Sequence, residues 1–162
     1  MTKDSQKAIG RILSFAKATK RDRDSRSDIK ARRMRMLDAR WPHFIETVHA
    51  EFREFVDTFN EGLRAKGIAP VKVVASDDSI TATAGRLSVT IAGDLDALML
   101  TMTYKTLRAR NSQTSDLPFY IRLGEDDQIE IHESPDQDRL LPIDTFLVKV
   151  LSPFFSEVVK PT

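Results

Sequence analysis

Residues 71–91 read VKVVASDDSITATAGRLSVTI, and this stretch decides the fold. Val71, Val73 and Ala75 alternate with Lys72 and Val74; Ile80, Ala82 and Ala84 alternate with Thr81 and Thr83; Leu87, Val89 and Ile91 alternate with Ser88 and Thr90. A period of two built from β-branched residues is the mark of strands with one buried face. Asp77-Asp78 and Gly85 fall between the runs, where turns need residues that bond locally or adopt left-handed backbone. The stretch therefore predicts a meander of antiparallel strands.

Moving toward the C-terminus, Gly93-Asp94 predicts another turn, followed by Leu98, Leu100, Met102 and Tyr104 alternating with Thr101, Thr103 and Lys105. A polar segment from Arg108 to Asp116 reads as a loop. Beyond it, Phe119, Ile121 and Leu123 and then Ile129 and Ile131 predict a hairpin whose tip is Gly124 to Asp127. From Ile143 to Val159 the period returns to that of a helix. Ser152-Pro153 there has the form of an N-cap followed by Pro at the first helical position, which predicts two short helices or a kink.

Moving toward the N-terminus, Leu37, Trp41, Phe44, Ile45, Val48, Phe52, Phe55, Val56, Phe59 and Leu63 recur every three or four residues and predict a long amphipathic helix. Pro42 lacks an amide hydrogen, so the helix is expected to kink or restart there, with Ser27 capping its first part. Gly62, Gly67 and Pro70 close it. Residues 5–19 carry Ala8, Ile9, Ile12, Leu13 and Ala16 at helical spacing, a short basic amphipathic helix. Between Thr19 and Asp28 almost every residue is charged or Ser, which reads as a linker.

The expected architecture is α+β: a two-layer sandwich of five or six antiparallel strands flanked by the long helix and a C-terminal helix. Residues 1–26 form a basic N-terminal arm and residues 27–162 a single domain. A chain of 162 residues with 41% hydrophobic and 30% charged residues can bury one sizeable core. It contains no Cys, which excludes thiol catalysis, disulfides and Cys-ligated zinc. Residues 1–11 lack the apolar core of a signal peptide and no apolar run is long enough to span a bilayer, so the expectation is a cytoplasmic, non-spanning protein.

The net charge of +1 conceals a division. Residues 1–40 hold 13 Lys or Arg against 5 Asp or Glu, and residues 41–162 hold 12 against 19. Such a split suggests an arm that seeks anionic partners or folds back on its own acidic body.

Sites for chemistry are scarce. His43 and His49 lie six apart on the long helix, not at the i, i+4 spacing of a metal helix, and His132 stands alone. Gly62 to Gly67 has the glycine spacing of a phosphate loop, but Ile68-Ala69 occupy the positions of Lys and Ser or Thr. Carboxylates cluster at Asp77-Asp78, Asp94-Asp96 and Glu125 to Asp127, all at turns, where Asp serves local hydrogen bonding. The helix, meander and helix resemble in outline the core of metal-dependent nucleases with an Asp…Glu-x-Lys pattern. On that resemblance Asp116, Glu130 and His132 are the catalytic candidates, with His in the place of the lysine and divalent metal as the implied helper.

The binding candidates are Lys17, Lys20, Arg21, Arg23, Arg26, Lys30, Arg32, Arg33 and Arg35, a cluster of the kind that releases counterions from nucleic acid. Interspersed Asp22, Asp24, Asp28 and Asp38 dilute its field and favour intrahelical pairs such as Asp28 with Arg32. A membrane surface is a weaker fit, because Phe15 is the sole aromatic on the apolar stripe. The first expectation is a non-enzymatic regulatory or adaptor protein, without cofactor, metal or small-molecule ligand, that binds a protein partner or itself as a homodimer through the arm and a sheet or helix surface. Nucleic-acid binding by the arm is the first alternative and the nuclease-like enzyme the second.

Overall fold

The computed structural model describes residues 2–107, 112–136 and 139–160. The chain divides into two units, residues 1–37 and 38–162. Helix α1, Lys3–Ala65, contributes residues to both.

In the first unit α1 continues through the stretch from Thr19 to Asp28 that was expected to be a linker, so Ser27 is interior to the helix and not its cap. The reason is that missing apolar periodicity signals a missing packing face, not a missing helix. Arg and Lys are good helix formers, no Gly or Pro occurs between Arg11 and Trp41, and Asp22 with Arg26 and Asp28 with Arg32 are opposite charges four residues apart.

In the second unit the helix passes Pro42 without restarting and buries Trp41, Phe44, Ile45, Val48, Phe52, Val56 and Leu63. Its end is a Schellman motif: the Ile68 amide donates to the Leu63 carbonyl at 2.9 Å and the Gly67 amide to Arg64 at 3.1 Å, with Gly67 at φ +71°. The Asn60 side chain then fixes the entry into the sheet, donating from Nδ2 to the Val71 carbonyl (2.9 Å) and accepting the Val71 amide on Oδ1 (2.7 Å).

Seven antiparallel strands follow in chain order across one sheet: β1 Lys72–Ala75, β2 Ser79–Ala84, β3 Leu87–Asp94, β4 Met99–Leu107, β5 Ser112–Leu123, β6 Ile129–His132 and β7 Leu140–Leu141. The expected five or six strands are thus seven. β7 has only two residues, too few to show a period, and pairs with the free edge of β6. Of the segment expected as a loop, residues 108–111 lie outside the described residues, while Ser112 to Asp116 extend β5. Those residues are all exposed, so no apolar alternation marked them.

The alternation read from sequence sets the register. Ile80 lies opposite Ile91, Ala82 opposite Val89, Leu100 opposite both Gly93 and Phe119, and Ile121 opposite Ile131. Helix α2, Ile143–Val158, joins this inner row by burying Phe146, Leu147, Val150, Leu151 and Phe154. It is one helix containing Pro153, not two. Its Phe146 ring meets Phe119 edge-on with centroids 4.8 Å apart, tying α2 to β5. The opposite sheet face is a polar row in which Thr81 and Thr90 share a hydroxyl hydrogen bond of 2.8 Å. Among the described residues no helix is long and apolar enough to cross a membrane.

Candidate functional site

All nine basic candidates, Lys17, Lys20, Arg21, Arg23, Arg26, Lys30, Arg32, Arg33 and Arg35, are exposed on α1 in the first unit. At 3.6 residues per turn they surround the helix and do not share a face. The more selective feature of this unit is apolar. Ile9, Ile12 and Leu13 follow helical spacing beside Phe15, and they are 46%, 67%, 64% and 75% exposed respectively. Together they leave an apolar stripe exposed on the helix.

The second unit carries a groove between α1 and α2 of about 540 Å³. Phe55, Phe59 and Phe155 line it, with Phe59 and Phe155 stacked at 4.0 Å and an interplanar angle of 13°. Glu51, Glu54, Thr58 and Asp144 complete the lining among the described residues, so carboxylates edge the apolar floor and no described cation does. In the sequence Phe55 and Phe59 belong to the core stripe, and nothing in their spacing marks this groove. The available signal was Phe155, an aromatic on the C-terminal helix one residue off its buried face, but pairing it with Phe59 requires knowing how the two helices pack.

The three nuclease-like candidates do not converge. His132 lies opposite Tyr120 and Glu130 opposite Arg122, whereas Asp116 lies opposite Thr103, four residues farther along β5 than Tyr120. At about 3.3 Å per residue that is a separation of about 13 Å from the His132 position. Glu130 and His132 do meet: the ring Nε2 is 3.0 Å from Glu130 Oε2, and Nδ1 is 3.3 Å from Arg122 Nη2. A guanidinium only donates, so Nδ1 accepts, and Nε2–H donates to the carboxylate. The buried ring, 3% exposed, is held from both sides with neither nitrogen open for proton transfer to a substrate. Among the described residues no group of three His, Asp or Glu side chains is placed to hold a metal ion.

The other acidic pairs serve turns. Asp94 Oδ1 accepts the Ala97 amide at 3.1 Å, and Asp126 Oδ1 accepts the Gln128 amide at 3.2 Å. Asp78 Oδ1 accepts from the Trp41 indole at 3.2 Å. This contact borders a second groove, lined by His49, Arg53 and Glu46 among others. Burial there lowers the His49 pKa, with Arg53 adding to the effect and Asp78 opposing it. His43 is exposed on the same helix.

Comparison with known proteins finds no correspondence: no family, no curated protein and no solved structure matches this chain.

Proposed function

We propose that the protein is a non-enzymatic regulatory or adaptor protein that works by binding another macromolecule through its N-terminal arm. One observation carries this reading: Ile9, Ile12, Leu13 and Phe15 form an exposed apolar stripe on a basic helix. Fully burying side chains of this size is worth about 1.5–3 kcal/mol each. The groove lined by Phe55, Phe59 and Phe155 offers a second surface of the same apolar character on the body. The Arg122–His132–Glu130 arrangement supports the non-enzymatic part, since both ring nitrogens of the buried His132 are engaged by part-buried neighbours.

The nine exposed cations favour one competing reading, direct contact with nucleic acid. The two differ in their response to salt: each phosphate neutralised steepens the loss of affinity with salt by a slope of about 0.9, while an apolar interface hardly responds. A photo-crosslinking residue at position 15 of the full chain, activated in cells that produce it, tests both. A discrete protein adduct is the expected result. An adduct removed by nuclease, with salt-sensitive DNA binding by the purified chain, puts nucleic acid first, and the absence of any adduct overturns the assignment of binding to the arm.

A further inference from the structure

We infer that the arm's partner is a second copy of this chain, the stripe of Ile12, Leu13 and Phe15 from one copy seating in the groove lined by Phe55, Phe59 and Phe155 of the other. This rests on the reading of the arm as a binding element and names what it binds.

Three properties of the two surfaces match. The groove is apolar at its floor and large enough, at about 540 Å³, for two or three bulky side chains. The stripe supplies side chains of that kind, 64–75% exposed, including an aromatic that can join the stacked Phe59 and Phe155 rings. Charge matches as well. Glu51, Glu54 and Asp144 edge the groove, and by helical spacing Arg11 and Lys17 flank the stripe on its two sides.

The charge division of the whole chain points the same way. Residues 1–40, with 13 basic and 5 acidic side chains, repel the same segment of another copy, and residues 41–162, with 12 and 19, repel theirs. The attractive pairing between two copies is arm on body. Exchange can be reciprocal, each arm on the other's groove, which gives a closed two-fold dimer and two equivalent contacts. Stable interfaces bury about 1,200–2,000 Å² in total, so with two equivalent contacts each need supply only half of that area.

The test is a charge swap read by sedimentation equilibrium of the full chain. Glu51→Lys/Glu54→Lys reverses the groove edge, and Arg11→Glu/Lys17→Glu reverses the flanks of the stripe; all four positions lie away from the core, and circular dichroism checks that each variant is folded. The intact chain should be a dimer, and each variant alone should dimerise at least tenfold more weakly. An equimolar mixture of the two variants should recover the dimer, because each arm then meets a groove of opposite charge. A monomeric intact chain, variants that dimerise as well as the intact chain, or a mixture that stays monomeric would each overturn the inference. Arms that occupy grooves on their own chains leave a monomer in every sample and overturn it too. The broader reading fails separately: a monomeric chain that still crosslinks from position 15 to a different protein removes the second copy and keeps the arm as a binding element.

Discussion

The indole of Trp41 occupies the space that a β-carbon on Gly93 would need. Built there, that carbon would stand 2.6 Å from Trp41 Cζ2, 2.8 Å from Cη2 and 3.0 Å from the Ile45 Cδ1 methyl. Glycine at the end of β3 thus lets the helix layer approach the sheet, and the indole N–H, turned to Asp78, pins the same ring to the turn between β1 and β2. Gly93→Ala should force the ring to move and destabilise the fold by about 1–3 kcal/mol. Trp41 is the only tryptophan in the chain, so urea unfolding followed by its fluorescence reads the effect directly. An unchanged midpoint would mean that the ring shifts at no cost.

Asn60 makes two hydrogen bonds to the backbone of Val71, one as donor and one as acceptor. Asn60→Ala leaves both groups of a buried residue without those partners and should cost about 1–3 kcal/mol. Amide hydrogen exchange should show faster exchange at Val71 in the variant, and unchanged protection there would contradict the role assigned to the side chain.

His132 and Asp116 should behave as unrelated residues. His132→Leu removes the contacts to Arg122 and Glu130 from a buried ring and should destabilise by about 1–3 kcal/mol, whereas Asp116→Asn at an exposed strand position should stay within about 0.5 kcal/mol. At about 13 Å apart, the two changes should add in a double-mutant cycle. A coupling energy well above the error of the urea midpoints would show that the two residues share a site after all.

His49 should impose a pH dependence of definite sign. Its pKa in the folded protein is lowered, chiefly by burial and further by Arg53, against the opposing pull of Asp78. The unfolded chain therefore takes up the proton at higher pH than the folded one, so stability falls as pH drops below the ordinary histidine value of about 6.5 and levels off once both states are protonated. His49→Gln should flatten this part of the stability profile. If wild type and variant show the same slope between about pH 6.5 and 5, the histidine is not its source.

Much of this was legible before folding. The alternation from Val71 to Tyr104 indicated which residues of four strands face inward, because a period of two assigns side chains to sheet faces without reference to anything distant. The stripe from Trp41 to Leu63 did the same for the body's helix, and Gly67 marked its end because a Schellman motif needs left-handed backbone at that position. What failed was local in origin: charged residues 19–28 carry helix propensity without a periodic signal, and Ser112 to Asp116 form a strand with no buried face to reveal it.

The sequence by itself determined the inner and outer faces of the main elements, the absence of thiol chemistry, and the opposition of a basic arm to an acidic body. Tertiary structure decided the rest, because each remaining feature joins residues far apart in the chain. Phe59 and Phe155 become one groove only when two helices pack side by side, and Glu130 and His132 are separated from Asp116 only once the strand register is set. Gly93 explains itself only beside Trp41. Periodicity reports what faces the core, while proximity across the core depends on how the layers meet.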